Sequence, residues 1–302
     1  RFGKVPGGQQ IDAVHAFGPR AVRITPDIVL PVDYGAVRVE CGLCFDHHRG
    51  PVGFPRKLVF AHPLNLPAGA RVLAPSAVAA AGEMYTDQEG MKPHPVPQAM
   101  TDADLRHAID EFVQAAKNAI AAGCDGVELH SANGYLLEQF IRPNSNVRTD
   151  RYGGGIENRA RFVLEVMARL VGVWGEGRVG IRLSPTLAYN GMVDSDPRAT
   201  FSYLIEQLNA MPLAYLHLMR ATPDAERFPH WPQDVVATFA PLFQGPILVN
   251  GGYDRDSAEA VLASGRAHAV SFGTAFVSNP DLVHRFEVGA PLAAGDRSTF
   301  YG

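Results

Sequence analysis

The stretch that decides the fold runs from Val127 to Arg161 and reads VELHSANGYLLEQFIRPNSNVRTDRYGGGIENRAR. It opens on a short apolar run, Val127 to Leu129, which predicts the end of a buried parallel strand. Four polar side chains follow within six residues: His130, Ser131, Asn133 and Tyr135. At the carboxyl end of a barrel strand, such residues face the region where barrels build their active sites. The alternative is a structural histidine with a satisfied partner, and it applies to His130 alone more readily than to the group.

The spacing of these side chains indicates a particular chemistry. His130 and Asn133 can both donate hydrogen bonds to one ligand oxygen, and Tyr135 is a weak acid with an ordinary pKa near ~10. Two donors at one oxygen polarise a carbonyl or nitro group, and a nearby weak acid can then protonate the carbon that becomes negative. The sequence therefore predicts a site that activates a conjugated acceptor.

The longer segment from His130 to Val166, HSANGYLLEQFIRPNSNVRTDRYGGGIENRARFVLEV, resembles the signature of the old yellow enzyme family of flavin-dependent ene-reductases. The match is long and nearly gapless, so it is a specific signal. The resemblance implies an FMN-dependent oxidoreductase that reduces the activated C=C bond of enones or nitroalkenes with NADPH or NADH. It also implies that His130 and Asn133 bind the oxygen of this small α,β-unsaturated substrate, and that Tyr135 supplies the proton.

A second polar position lies in the apolar run from Val179 to Pro185, which predicts a strand with Arg182 at its centre. A buried arginine needs an anionic or strongly polar partner. By resemblance, Arg182 lies against the flavin ring and stabilises the reduced, anionic flavin. The alternative is a buried salt bridge to another strand.

Two strand ends near the carboxyl terminus carry glycine. Gly251 and Gly252 follow the strand from Pro246 to Asn250, and Gly273 and Thr274 end the segment that begins at Ala269. The last two strands of α/β barrels usually hold a phosphate, and glycine lets the backbone N–H groups approach it. By resemblance, these four residues bind the FMN phosphate, although Thr274 replaces the family's usual arginine.

The pair Phe300–Tyr301 also resembles the family, in which such a pair lies near the flavin and the substrate. Tyr301 is therefore expected to bind substrate.

From residue 101 to residue 290, helical and strand patterns alternate with short connections, which predicts a parallel sheet. Further helices are predicted over 162–173, 201–210 and 255–264, and a strand over 215–219. Thr101 is the predicted cap of a helix that ends at Gly123, and residues 85–100 are predicted to form a surface loop at the barrel mouth. The fold class is α/β, a (β/α)8 TIM-barrel type, in one domain over residues 1–302.

The resemblance covers residues 62–302, whereas residues 17–60 are atypical. About five strands are recognisable where closure of a barrel needs eight, so the barrel is predicted to be incomplete at its amino-terminal side. The chain also stops short of the family's carboxyl-terminal tail. Either residues 17–60 replace the missing strands, or the chain is an incomplete product.

Composition narrows the function class further. The 302 residues are 46% hydrophobic and 19% charged, which is ordinary for a globular protein. A net charge of −4 argues against a general binder of nucleic acid or anionic membranes, and no apolar run reaches the ~20 residues of a membrane span. Three cysteines do not suggest a disulfide scaffold, so a cytoplasmic protein is expected.

Cys41 and Cys44, followed by His47 and His48, could form a zinc site or a redox pair. Structural zinc normally has two spaced ligand pairs, so we predict no metal here.

Two other functions remain open. A flavin-free, non-catalytic remnant would keep the motif without the cofactor. A flavin-free barrel aldolase or isomerase would need a catalytic lysine or a carboxylate pair at the strand ends, and the predicted strand ends offer neither.

Overall fold

The computed structural model describes residues 62–296, apart from residue 68, and also residue 298. It further describes the backbone of three short strands before residue 41. The segment from Cys41 to His48 and Tyr301 lie outside the described residues, and so do most of residues 17–60.

The described strands are β1 (Ala21–Val22), β2 (Leu30–Pro31), β3 (Val39–Glu40), β4 (Leu73–Ala74), β5 (Glu83–Thr86), β6 (Gly90–Pro93), β7 (Gln98–Ala99), β8 (Gly126–Ser131), β9 (Val179–Leu183), β10 (Tyr215–Met219), β11 (Ile247–Asn250) and β12 (Ala269–Val270). The described helices are α1 (Asp102–Ala121), α2 (Leu136–Ile141), α3 (Ile156–Trp174), α4 (Pro197–Leu208), α5 (Val235–Phe239), α6 (Arg255–Ala263), α7 (Thr274–Ser278) and α8 (Leu282–Val288).

The central sheet has six strands in the order β12-β11-β10-β9-β8-β3, and every neighbouring pair is parallel. From β8 to β12 the order in space is the order along the chain, and at least one helix separates each strand from the next. This is the repeated βα unit of a TIM barrel, as the alternating sequence pattern predicted. Among the described strands, β3 and β12 form the two edges of the sheet.

The two faces of the sheet differ sharply in polarity, because side chains alternate along each strand. One face packs against the helices and forms the hydrophobic core, with the apolar residues Val127, Leu129, Val179, Ile181, Leu183, Leu216, Leu218, Ile247, Val249 and Val270. The opposite face, which we call the inner face, carries Glu128, His130, Arg182, His217 and Asn250. The strands therefore place their polar side chains together on the side away from the helices.

Helix α1 begins where the sequence indicated. The Thr101 hydroxyl accepts a hydrogen bond from the Asp104 N–H (3.2 Å), and the Asp104 carboxylate accepts one from the Thr101 N–H (3.0 Å). This reciprocal capping box satisfies two N–H groups that have no partner within the helix. The left-handed Gly123 (φ +83°) follows the helix end, as predicted.

Helices α3 and α4 both begin earlier than the apolar periodicity predicted. Helix α4 begins at Pro197, where the Asp196 carboxylate accepts a hydrogen bond from the Ala199 N–H (2.9 Å). Proline at the first helical position after an aspartate cap is a start signal that does not depend on hydrophobic spacing. The prediction that this helix begins at residue 201 was therefore wrong by one turn.

The segment predicted as a surface loop, residues 85–100, overlaps an antiparallel hairpin, β5–β6, paired from Glu83↔Pro93 to Thr86↔Gly90. Thr86 stabilises the connecting turn, because its hydroxyl donates to the Gly90 carbonyl (2.8 Å) and accepts from the Glu89 N–H (3.1 Å). Gly90 supplies the left-handed conformation (φ +67°) that the turn requires. The sequence pattern did not predict this hairpin, because the segment is rich in proline, which usually disfavours strands. Pro93 lies at a strand end, where its missing N–H is tolerated.

None of the helices in the described part of the chain combines the length and the apolar character needed to cross a membrane.

Candidate functional site at the carboxyl ends of the strands

The chain turns sharply between β8 and α2, and this turn carries two of the predicted catalytic residues. Asn133 (φ +58°) and Gly134 (φ +78°) are both left-handed. A side chain at Gly134 would place its Cβ 2.8 Å from Cβ of Asn190, so only glycine fits there. The turn brings the Tyr135 ring to 5.3 Å from the His130 ring, measured between centroids. His130 and Tyr135 therefore lie side by side, with Asn133 in the turn between them, and Tyr135 is 44% exposed.

A buried network beneath the turn fixes its position. The Glu138 carboxylate accepts hydrogen bonds from the Gly134 N–H (2.7 Å) and the Ser184 hydroxyl (3.0 Å). The Ser184 oxygen in turn accepts from the Asn133 N–H (2.9 Å). Arg142 completes the network, because it pairs with Glu138 (2.5 Å) and donates to the Ser184 carbonyl (2.7 Å).

Sequence reasoning missed this network, which we call the Glu138 network (Glu138, Arg142 and Ser184). The spacing of Glu138 and Arg142 by four positions was an available signal, since such pairs meet on one helix face. The contribution of Ser184 had no local signal, because it lies 46 positions from Glu138 in the sequence.

His130, Arg182 and His217 lie side by side on the inner face, since His130 pairs in register with Arg182 and Arg182 pairs with His217. Four polar atoms here are buried and have no hydrogen-bond partner among the described residues: His130 Nδ1, Asn133 Oδ1, Arg182 Nε and Asn250 Oδ1. Arg182 also has no carboxylate within ion-pair distance in the described part of the chain, so the predicted alternative of a buried salt bridge is not found there. Buried polar atoms of native proteins almost always have partners, so this group fits a polar ligand.

A second buried chain of polar groups lies deeper on the inner face. His217 Nδ1 is 2.8 Å from Glu128 Oε2, and His217 Nε2 is 3.1 Å from the Ser271 hydroxyl. All three residues are buried. Burial raises the pKa of Glu128, but His217 and Arg182 outweigh it, so the net shift is downward and the carboxylate stays ionised. Sequence reasoning missed this set, although alternating polar residues within apolar strands pointed to it.

The environment of His130 determines its charge. Burial lowers the pKa of His130 to about 4, and the positive charge of Arg182 acts in the same direction. The imidazole is therefore neutral at neutral pH and has one N–H to donate.

We expect the His130 imidazole in the flavin-free chain to titrate near pH 4. Because this pKa lies below the unfolded value of 6.5, the neutral ring stabilises the fold fully above pH 6.5, and this stability is lost as pH falls toward 4. An NMR titration of the histidine ring protons measures the pKa, and the His130→Gln variant assigns the resonance. A value near 6.5 would contradict the burial of this ring beside Arg182.

The glycine-bearing ends of β11 and β12 lie next to each other, because the two strands are paired. Gly251 (φ +107°) and Gly252 (φ +67°) are left-handed, and Gly273 has no atom within 4 Å of the position of an added Cβ. Within the described part of the chain, the N–H groups of Gly251, Gly252, Gly273 and Thr274 donate to no acceptor. Free N–H groups at neighbouring strand ends can bind an anion.

The sequence-predicted residues that the structure describes thus all lie at the carboxyl ends of adjacent strands. His130, Asn133, Tyr135 and Arg182 lie at β8 and β9, whereas the glycine turns lie at β11 and β12. Arg220, which follows β10 beside the glycine turn, was not predicted.

Comparison with known proteins relates this chain to flavin-dependent oxidoreductases. The model of the NADH:flavin oxidoreductase / NADH oxidase family matches residues 62–293. A probable flavin mononucleotide-dependent alkene reductase of Leishmania infantum is 40% identical over 245 residues, which are 79% of this chain and 65% of that protein. Putative 12-oxophytodienoate reductase 5 of Oryza sativa subsp. japonica is 47% identical over 209 residues, which are 68% of this chain and 55% of that protein.

Solved structures show the same relationship. Morphinone reductase superposes with a TM-score of 0.75 and 40% identity, covering 80% of this chain and 66% of that one. The old yellow enzyme homologue from Zymomonas mobilis superposes with a TM-score of 0.74 and 34% identity, covering 82% of this chain and 68% of that one. These likenesses confirm the predicted fold class, and this chain spans about two thirds of the length of those structures.

Proposed function

The chain belongs to the NADH:flavin oxidoreductase / NADH oxidase family, and from this premise we propose that it is an FMN-dependent ene-reductase. Its reaction is the reduction of the activated C=C bond of an enone or nitroalkene with NADPH or NADH. The relatives named as alkene reductase and 12-oxophytodienoate reductase support this reading.

The observation that carries the proposal is the convergence of His130 and Tyr135 beside Arg182, with Asn133 in the turn between them. Polar atoms of His130, Asn133 and Arg182 are buried and unpartnered among the described residues. A flavin-free barrel enzyme would not need this set. The convergence depends on the left-handed turn and on the Glu138 network, so the fold supports this geometry through specific contacts.

These residues fit FMN. Arg182 Nε and Asn250 Oδ1 are buried atoms on the inner face that a flavin ring could partner, and the free N–H groups of the two glycine turns suit its phosphate. Arg182 would stabilise negative charge on the ring. When bound, FMN carries a hydride from NADPH or NADH to the alkene.

The catalytic side chains act on the substrate. His130 and Asn133 donate hydrogen bonds to its carbonyl or nitro oxygen, which polarises the conjugated double bond. The neutral state of His130 suits this role, because the ring donates without delivering a second charge beside Arg182. Tyr135 transfers its hydroxyl proton to the α-carbon. Tyr301 is a further substrate contact in this proposal, on the strength of the family resemblance.

The proposal includes a cytoplasmic location and a small-molecule partner, with no nucleic acid or membrane partner. The net charge of −4 and the small number of cysteines support these points.

Turnover of the FMN-loaded chain tests the proposal. With NADPH and 2-cyclohexenone under anaerobic conditions, we expect NADPH loss to be matched mole for mole by cyclohexanone. The matched control is Asn133→Asp, which tolerates the left-handed turn but replaces the amide donor with a carboxylate. Absence of product above that formed by free FMN would overturn the proposal and favour a non-catalytic remnant.

A further inference from the structure

Arg220 follows β10 directly and is fixed beside the glycine turn at the end of β11. Its N–H donates to the Asn250 carbonyl (2.8 Å), which continues the β10–β11 ladder by one residue. Its guanidinium donates from Nη2 to the Gly252 carbonyl (2.8 Å) and lies over the Tyr253 ring, 4.4 Å from the centroid. Three contacts, two of them from the side chain, thus hold Arg220 against residues 250–253.

The charge of Arg220 is not neutralised by an ion pair within the described part of the chain. Asp254 is nearby, but its carboxylate caps α6 by accepting from the Ser257 N–H (2.8 Å). Hydrogen bonds from Ser257 are the main cause of the lowered pKa of Asp254, and Arg220 adds only a small effect. A guanidinium has five N–H groups, so Arg220 retains donors for a further acceptor.

The Arg220 guanidinium lies next to the glycine turn whose backbone N–H groups are free within the described part of the chain. An added Cβ at Gly252 would lie 3.3 Å from Arg220 Nη2, so the guanidinium borders the turn itself. The segments 250–253 and 271–274 contain no basic residue of their own, and Thr274 can offer only a hydroxyl. Among the described residues, Arg220 is therefore a cation that borders the Gly251–Gly252 turn.

We propose that Arg220 binds the phosphate of FMN, together with the N–H groups of the two glycine turns, and so makes this chain select FMN over riboflavin. The inference rests on the proposed function, because it assumes that the site binds a flavin. It adds a charge-assisted contact from a third strand end, β10, to a phosphate site that the sequence placed on β11 and β12 alone. Arginine suits this contact, since its planar fork can bind two phosphate oxygens together.

The dissociation constants of FMN and riboflavin, measured by isothermal titration calorimetry on the purified chain, test the inference. We expect Arg220→Gln to weaken FMN about 10-fold to 100-fold, as loss of a charge-assisted contact implies, and to leave riboflavin within about twofold. Arg220→Lys keeps the charge and should retain part of the preference. The wild-type preference for FMN should also shrink as salt rises. Arg266→Gln is the matched control, because it removes an arginine that pairs with Asp234 at the surface.

Each outcome decides a different point. If FMN binds wild type and Arg220→Gln equally, the inference is wrong while the proposed function stands. If FMN and riboflavin weaken by the same factor in Arg220→Gln, Arg220 only supports the turn, and the inference is also wrong. If wild type binds neither flavin, both the proposed function and the inference fail.

Discussion

Replacement of Tyr135 with phenylalanine is expected to slow alkene reduction about 100-fold to 10,000-fold, the usual range for loss of a general acid. The Tyr135 ring is 44% exposed and lies 5.3 Å from the His130 ring, so phenylalanine can keep the packing and remove only the hydroxyl. Reduction of bound FMN by NADPH should not change, because that step needs no proton on the substrate carbon. Stopped-flow absorbance separates the two steps: NADPH bleaches the flavin band, and added enone restores it.

Tyr85→Phe is the control for this experiment, since it removes the hydroxyl of another exposed tyrosine (63%) on the β5–β6 hairpin. It should leave both steps unchanged. An unchanged enone step in Tyr135→Phe, with normal bleaching by NADPH, would show that Tyr135 is not the proton donor.

Removal of the Glu138 carboxylate is expected to destabilise the fold by about 3–5 kcal/mol, which is typical when one partner of a buried ion pair is lost. Glu138 and Arg142 are both fully buried, so Glu138→Ala leaves an arginine charge without its partner. The Gly134 N–H and the Ser184 hydroxyl lose their acceptor as well. Urea denaturation followed by circular dichroism measures the change in the free energy of unfolding.

The surface pair Asp281–Arg285 provides a matched control, because it has the same acid–arginine spacing of four positions but is partly exposed. Asp281→Ala should destabilise the fold far less than Glu138→Ala, because exposed ion pairs contribute little to stability. The double variant Glu138→Ala, Arg142→Met should be more stable than Glu138→Ala alone, since it removes the unpaired charge. If Glu138→Ala costs no more than Asp281→Ala, the network does not stabilise the turn.

The elements that the sequence predicted best are those with a local signal at each end. The strand Tyr215–Met219 matches its apolar run residue for residue, and α1 lies between a capping box and a left-handed glycine. The recognition of the family rested on the long motif after β8, and the family match confirms it. Such features depend on neighbours within a few positions of the chain.

The features that the sequence did not predict depend on contacts between distant positions. Ser184 meets Glu138 across 46 positions, and Arg220 meets Gly252 across 32. His217 joins Glu128 and Ser271 across 89 and 54 positions. Local periodicity can place a polar side chain on one face of its strand, but it does not encode these pairs, because the parallel register of β8 to β12 creates them.

The central claim is that the inner face and the glycine turns bind FMN, and an absorption spectrum tests it most directly. The purified 302-residue chain is incubated with FMN, passed through gel filtration and scanned in the visible range, with circular dichroism to confirm that it is folded. We predict a flavin band that co-elutes with the protein in equimolar amount. A folded chain that elutes colourless would contradict the claim.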